Sequence, residues 1–361
     1  MKPDERPDLS KKCSLVDFLL CSLGCLFFLL APAMRATAQT PLVRGVDAVG
    51  LTVSDIDRSV DFYTRVLHFT KVGDEDFSGE TYEHFEGVFG LHIREVRLKL
   101  GDEFLDLTEY LAPRGRPIPE DSASNDHWFQ HVAIVVRDLD KAYAWLRKNN
   151  VKYGSSDPQT LPQWNKGAAG IKAFYFRDPD GHTLEIIQFP EGKGLAKWHR
   201  PGDDLFLGID HTAIVVSHTD ASLSFYRDEL GMKVVGESEN YGVEQEHLNN
   251  VFGAHLRITS LRAASGPGVE FHEYLSPLSG RPIPPDQRAN DLASWQTKMR
   301  VLNVEQTAKA LLGHASWVSS SVLEIQSGGA RERAFIVRDP DGHAVALMEP
   351  VVAASREHRP D

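Results

Sequence analysis

Two stretches of the chain put an imidazole at the head of an apolar strand: His131-Val-Ala-Ile-Val-Val136 and His211-Thr-Ala-Ile-Val-Val216. Two carboxylates sit inside equally apolar runs, Glu185 between Leu184 and Ile186 and Glu270 between Val269 and Phe271. Successive side chains on a strand point to opposite faces. His131, Ala133 and Val135 therefore share one face, Val132, Ile134 and Val136 share the other, and Glu185 lies opposite its apolar neighbours. A carboxylate in such surroundings requires a partner. A divalent metal is one choice, since imidazole and carboxylate suit Zn, Ni, Fe or Mn, and a bound ion polarises an oxygen or lowers the pKa of a water. Histidines and glutamates that hydrogen-bond one another in a polar interior are the other.

Composition removes several alternatives. The chain has 361 residues, 42% hydrophobic and 25% charged, with a net charge of −12. That profile fits an ordinary globular protein rather than a disordered, collagen-like or polytopic membrane chain. The acidic balance argues against a nucleic-acid partner, which would need clustered Lys and Arg. The three cysteines, Cys13, Cys21 and Cys25, all fall in one N-terminal segment. There Lys11 and Lys12 precede an apolar run from Leu15 to Ala33, followed by small residues at Ala36 and Ala38. This pattern reads as a signal peptide over residues 1–38, cleaved after Ala38, with an uncleaved N-terminal anchor as the rival. The expectation is an exported protein, periplasmic or secreted, that meets a membrane only if the segment stays attached. Its mature chain has no cysteine and so no thiolate chemistry.

The elements that carry the four residues come from an internal repeat. Gly45-Val-Asp-Ala-Val-Gly-Leu-Thr-Val-Ser54 matches Gly208-Ile-Asp-His-Thr-Ala-Ile-Val-Val-Ser217, and the match runs on without a gap. Phe62-Tyr63 falls on Phe225-Tyr226, Leu67 on Leu230, and Val88-Phe-Gly-x-His-x-Arg94 on Val251-Phe-Gly-x-His-x-Arg257. Gly115-Arg-Pro-Ile-Pro119 returns as Gly280-Arg-Pro-Ile-Pro284, and Arg177-Asp-Pro-Asp-Gly-His182 as Arg338-Asp-Pro-Asp-Gly-His343. Residues 44–190 and 207–350 are one unit duplicated, joined by a linker over 191–206 and followed by a tail over 351–361. The likeness of the strands at His131 and His211 divides each unit again, into modules at 44–111, 127–190, 207–275 and 292–350. In each, an apolar strand leads through an Asp-like cap into an amphipathic helix, and further strands follow, the last often after an Asp-Pro-Asp-Gly turn. The pattern is βαβββ four times, an α+β protein with curved antiparallel sheet.

This arrangement resembles the vicinal oxygen chelate superfamily of glyoxalase I, extradiol dioxygenases and fosfomycin- or bleomycin-resistance proteins. The resemblance covers residues 44–350 and rests on the His-x-Ala-Ile-Val-Val strands, the Phe-Tyr helices and Asp178-Pro-Asp-Gly-His-Thr-Leu-Glu-Ile-Ile187. It implies that pairs of modules form cup-shaped domains, each able to hold a divalent metal chelated by a small-molecule substrate. The ligands would come from the first and last strand of each module. The first-strand positions read Ala48, His131, His211 and Gln296, and the last-strand positions read Asp106, Glu185, Glu270 and Ala346. If neighbouring modules pair, one cup offers Asp106, His131 and Glu185 and the other His211, Glu270 and Gln296, each one ligand short. If inner and outer modules pair, the inner cup is complete with His131, Glu185, His211 and Glu270, the two-His two-Glu set that resembles bacterial glyoxalase I. The Arg-Pro-Ile-Pro signature shared by the linkers between modules one and two and between modules three and four favours neighbour pairing. A slip of three residues would replace Asp106 and Glu270 by Glu109 and Glu273, but strand parity favours the former.

Further candidates for substrate contact are Lys298 and Arg300, which share a strand face with Gln296, and His92, Arg94, His255 and Arg257 on middle strands. His182 and His343 read as turn residues. Trp128, Trp164 and Trp295 are cup-wall or core residues.

Three functions compete. The first is a metal-dependent glyoxalase-like lyase or isomerase, with Glu185 or Glu270 as the catalytic base moving a proton between adjacent carbons. The second is a non-catalytic, resistance-type binder of a small molecule, which ligand-poor cups would favour. The third is a ring-cleaving dioxygenase, for which the resemblance implies two His and one Glu from the second pair of modules; those positions here read His211, Gln296 and Ala346, a clear departure.

Overall fold

The computed structural model describes residues 42–351. The proposed signal segment 1–38 and the tail beyond 351 lie outside them. No helix of the described residues is long and apolar enough to cross a membrane.

The first module runs β1 (Val43–Val53), α1 (Ile56–Arg65), β2 (Thr70–Ser78), α2 (Glu80–Glu86), β3 (His92–Leu100) and β4 (Glu103–Ala112). The second runs β5 (Gln130–Val136), α3 (Leu139–Lys148), two short strands β6 (Lys152–Tyr153) and β7 (Gln159–Thr160), β8 (Lys172–Arg177) and β9 (Thr183–Gln188). The third repeats the first as β10 (Phe206–Val215), α4 (Thr219–Leu223), β11 (Lys233–Tyr241), α5 (Val243–Asn249), β12 (His255–Arg262) and β13 (Gly268–Ser276). The fourth is β14 (Trp295–Val301), α6 (Val304–Leu311), β15 (Ser316–Trp317), β16 (Leu323–Ser327), β17 (Ala330–Arg338) and β18 (Ala344–Pro350). The predicted βαβββ plan holds, with an extra short helix, α2 or α5, in the first and third modules. Side chains of Asp55, Asp138 and Asn303 accept hydrogen bonds from amides three residues on and start α1, α3 and α6, as short polar N-caps do.

Neighbour pairing is overturned. One sheet has the order β15-β17-β18-β14-β1-β4-β3-β2 and joins the outer modules; the other, β11-β12-β13-β10-β5-β9-β8-β6, joins the inner ones. The first strands meet antiparallel at the centre of each sheet, β1 on β14 and β5 on β10, while β1 and β4, β5 and β9, and β10 and β13 run parallel. The sheets are therefore mixed, not purely antiparallel.

Modules adjacent in the chain do pack together, but through their helices. One core cluster combines Val49, Leu51, Ile56, Tyr63 and Leu67 of the first module with Val132, Ile134, Leu139, Leu146 and Phe174 of the second. Another combines Ile214, Phe225, Tyr226 and Phe271 with Met299, Val304, Leu311 and Phe335. Burying both helical faces against each other leaves the opposite sheet faces as the two cups.

The repeated linker signature belongs to this swapped arrangement. Arg116 of the first linker grips Asp291 (Nη2–Oδ2 2.6 Å) and Asp286 (2.9 Å), and Arg281 of the second grips Asp126 (2.7 Å) and Asp121 (2.9 Å). The backbone bonds Leu292 N to Arg116 O and His127 N to Arg281 O complete a reciprocal clasp. Gly115 and Gly280 are required by it, because a Cβ there would lie 2.0 and 1.9 Å from the carbonyl oxygens of Asn290 and Asn125.

Candidate metal centre

The inner cup is built from two rows of residues across its central strands. His131 lies beside Ala213, which lies beside Glu270; His211 lies beside Ala133, which lies beside Glu185. Each row thus holds an imidazole and a carboxylate with an alanine between them. Ala133 and Ala213 are fully buried, and their methyl groups leave the space into which the larger side chains lean. His131 Nε2 is 3.2 Å from Glu185 Oε2, His211 Nε2 is 3.7 Å from the same oxygen, and His211 Nε2 is 3.6 Å from Glu270 Oε1. His131, Glu185 and His211 bring one ligand atom each within 4.8 Å of one another, a group of buried metal-capable side chains.

Several of these atoms have no ordinary explanation. Both ring nitrogens of His131 and Nε2 of His211 are buried without a hydrogen bond. Buried polar atoms are seldom left so, and an ion bound here would account for Nε2 of His211 and for one of the two His131 nitrogens. The donor set fits a borderline divalent cation, so the residues present suit the metal that such a cup implies. Burial pushes the Glu185 carboxyl up to about 7 and, helped by the charges of His272 and His211, holds the His131 imidazole well below its usual value. Burial opposes the charge of His211 too, but Glu270, Asp210 and Glu185 around it raise it to about 9. Burial likewise works against the Glu270 anion, yet His211 and His272 hold it below the usual carboxylate range.

Two side chains beside the cluster escaped the sequence reading. His272 follows Glu270 by two residues on β13 and so shares its face; its Nε2 is 3.0 Å from Glu270 Oε1 and its Nδ1 is buried without a partner. Strand parity could have found it. Asp210 could not have been found that way, because adjacent strand residues point to opposite faces. A register shift in β10 between Ile209 and His211 breaks the alternation. It lets His211 Nδ1 donate to Asp210 Oδ2 at 3.1 Å, leaving Nε2 for the cup. Asp210 is itself held by Trp198 Nε1 (2.9 Å) and Arg262 (2.7 Å). Ser260 Oγ donates to Glu270 Oε2 at 2.6 Å.

The other candidates are not brought to this cluster. Asp106 and Gln296 belong to the outer cup. Asp106 is fully buried between Arg97 (2.8 Å) and Lys298 (2.8 Å), and Gln296 donates to Glu86 (2.6 Å). Lys298 also binds Glu95 (2.6 Å), and Arg300 binds Asp47 (3.0 Å) and Glu332 (2.5 Å). Both cations are consumed by carboxylates rather than presented to a ligand. His92, Arg94, His255 and Arg257 lie on the sheet faces away from the cups. Arg94 pairs with Asp57 and Asp74, Arg257 with Asp220, His92 with Asp76 and His255 with Glu239. The pleat explains this: Ser260 and Glu270 face the cup, which turns residues 255 and 257 outward. The same parity disposes of the three-residue slip, since Glu109 and Glu273 accept from Ile56 N and Thr219 N at helix starts. His182 and His343 follow their Asp-Pro-Asp-Gly turns and donate from Nε2 to the sequence-distant carbonyls of Leu292 and Val215. Trp295 is core, Trp128 lies under the Arg281 guanidinium, and Trp164 stacks on Tyr241.

Above the cluster opens a cavity of about 450 Å³, lined by Glu185, Asp210, His211, Glu270 and His272 on its floor. Tyr175, paired across β8 and β9 with Glu185, lines it too.

Paired βαβββ modules closing a cup over imidazoles and carboxylates define a class of metal-site protein. The chain belongs to the Glyoxalase/Bleomycin resistance protein/Dioxygenase superfamily, whose family model matches residues 45–186 and 208–347. It is 34% identical over 154 residues, 41% of this chain and 80% of the relative, to a 2-epi-5-epi-valiolone epimerase of Actinomyces sp.. It is 26% identical over 146 residues, 40% of this chain and 81% of the relative, to the metallothiol transferase FosB of Staphylococcus epidermidis. In fold it is similar to glyoxalase I from Zea mays, with a TM-score of 0.56 at 16% identity over 85% of this chain and 92% of that one.

Proposed function

We propose that His131, Glu185, His211 and Glu270 hold one divalent metal ion, and that the protein is a metal-dependent lyase or isomerase acting on a small oxygen-bearing substrate. The convergence of these four side chains from two sequence-distant modules, with unpartnered imidazole nitrogens among them, carries the reading. A bound ion would polarise a substrate oxygen and so acidify the adjacent carbon. The chain's own residues do the rest. Asp210 fixes the tautomer and orientation of His211. Glu185 and Glu270 stand on opposite sides of the cluster, each placed to take a proton from one carbon and return it to the next. The apolar module-two side of the cavity, with Leu161, Ile171 and Ile187, keeps bulk water from that exchange. The names of the matched epimerase and transferase support an enzyme over a passive binder. The ligand shortage that favoured the binder exists only under neighbour pairing.

Swapped pairing also revives a second reading. His131, His211 and Glu185 form a two-His one-carboxylate set, the donor pattern of non-haem Fe(II) oxygenases. Loading the purified protein separately with Zn, Ni, Mn and Fe(II) tests the two. Proton exchange at a carbon next to a carbonyl with Zn, Ni or Mn supports the isomerase reading. Oxygen uptake with catechol in the Fe(II) form alone supports the second.

Export of the mature protein is part of the same proposal. N-terminal sequencing of the protein from the expressing cell's exterior fractions, beginning after Ala38, would support it, and retention of the full chain in the membrane would favour the anchor.

A further inference from the structure

The cavity wall facing the cluster carries a chain of carboxamides. Asn165 Nδ2 donates to Asn240 Oδ1 (2.5 Å), Asn240 Nδ2 to Gln245 Oε1 (3.0 Å), Gln245 Nε2 to Asn249 Oδ1, and Asn249 Nδ2 to the Tyr274 hydroxyl (2.7 Å). Asn240 and Gln245 are both buried and both line the cavity. Their bonds along the chain fix which end of each amide is donor and which is acceptor. Each still has one N–H and one oxygen lone pair to spare.

The fold does not require these amides. The duplicated unit matches without a gap here, and the positions of Asn240, Gln245 and Asn249 are occupied in the outer cup by Phe77, Tyr82 and Glu86. Phe77 and Tyr82 stack at 4.8 Å, and Glu86 accepts from Tyr110. The same βαβββ module thus closes with aromatic rings on the side where the metal candidates are lost, and with polarised amides where they are kept.

The two long cationic side chains on the cavity lining, Arg262 and Lys193, are held in different ways. Arg262 binds Asp210 (2.7 Å), and Lys193 Nζ donates to the carbonyls of Lys166 (2.7 Å) and Gly167 (2.8 Å). Asp210 neutralises Arg262, whereas Lys193 is tied to neutral carbonyls and keeps its charge; the amides set the preference on their own wall, where hydroxyl groups, each donor and acceptor at once, match their spare valences.

We infer that Asn240 and Gln245 form a hydroxyl-reading subsite and that the substrate is a hydroxyl-rich carbonyl compound. The inference rests on the metal-enzyme reading for the end of the substrate that meets the cluster. The test is calorimetric binding to the metal-loaded protein of three probes: 2-keto-myo-inositol, 1,2-cyclohexanedione and pyruvate, with metal content measured on the same samples. The polyhydroxy ketone should bind at least about tenfold more tightly than the other two, in line with hydrogen bonds each contributing up to about 1.5 kcal/mol. Asn240→Leu and Gln245→Leu should each lose about tenfold for that probe and leave pyruvate binding and metal content unchanged. The inference is overturned if the dione or pyruvate binds as tightly as the polyhydroxy ketone, or if the leucine variants keep wild-type affinity. If those variants do not fold, the wild-type preference among the three probes decides alone. Preference for the polyhydroxy ketone without any metal would sustain the subsite and defeat the metal reading, and metal binding with a preference for pyruvate would do the reverse.

Discussion

The two cups grew from one duplicated plan and reached opposite electrostatic solutions. In the inner cup, imidazoles and carboxylates face one another around a cavity with several buried nitrogens unsatisfied. In the outer cup, Ala48 and Ala346 stand where a histidine and a glutamate would, and Lys298 lies against Asp106 and Glu95, a cation supplied by the chain itself. Arg97, Asp47, Arg300 and Glu332 extend that network, and Phe77 and Tyr82 add stacked rings beside it. One cup is arranged to receive a charge and the other has built one in. A fold of this kind keeps its architecture while either solution occupies its floor.

That contrast is open to attack from both sides. The largest stability effect belongs to Lys298→Ala, which strands the buried Asp106 and Glu95. Removing one partner of a buried ion network costs about 3–5 kcal/mol, and chemical denaturation should show it while the metal content of the protein stays unchanged. A metal site that also emptied would mean the cups are not independent.

Next comes pH. Burial pushes Glu86 up to about 7, from an ordinary value of 4.5. A raised carboxyl holds its proton more tightly when folded, so its contribution is present below about 4.5 and is lost as pH rises through 7. For a buried group this amounts to about 3 kcal/mol, and Glu86→Gln should flatten that part of the stability curve. Asp106 carries the opposite sign. Burial would raise it, but Lys298 and Arg97 prevail and lower it to about 2. Its stabilisation is present above 3.8 and disappears as pH falls towards 2. Stability measured from pH 2 to 8 in wild type, Glu86→Gln and Asp106→Asn separates the two.

The linker clasp ranks below these. Gly115→Ala forces a Cβ onto a carbonyl oxygen and should cost about 1–3 kcal/mol. Arg116→Ala and Arg281→Ala, whose side chains are half exposed, should cost about 1 kcal/mol or less each, with less effect at high salt. The smallest effect is expected from His92→Ala and Arg257→Ala on the outer faces, below about 0.5 kcal/mol and without change in metal binding.

The modules, the strand parity and the facing of His131, Glu185, His211 and Glu270 into a cup were legible in the sequence, because repeats and alternation are local patterns. Which edges join was not. The three linkers between modules have similar lengths, and Arg-Pro-Ile-Pro reads as a mark of kinship until its arginine is seen gripping the other linker's aspartates. Neighbouring modules do share a core, but on the helical faces that alternation cannot distinguish from a sheet partner. Asp210 stayed hidden because a bulge suspends the alternation on which strand reading depends. Lys298 and Arg300 were legible as cup-facing, and as candidates either for substrate contact or for salt bridges; the partners that settle it, Asp47, Glu95 and Glu332, come from other strands and could not be named from the sequence.

Metal analysis of the purified, reconstituted protein tests the central claim most directly. One divalent ion per chain is predicted, lost in both His131→Ala and His211→Ala and retained in Asp106→Asn, because the two histidines share one cup and the aspartate lies in the other. An ion lost in only one of the histidine variants, or no ion at all in the wild type, would contradict the account.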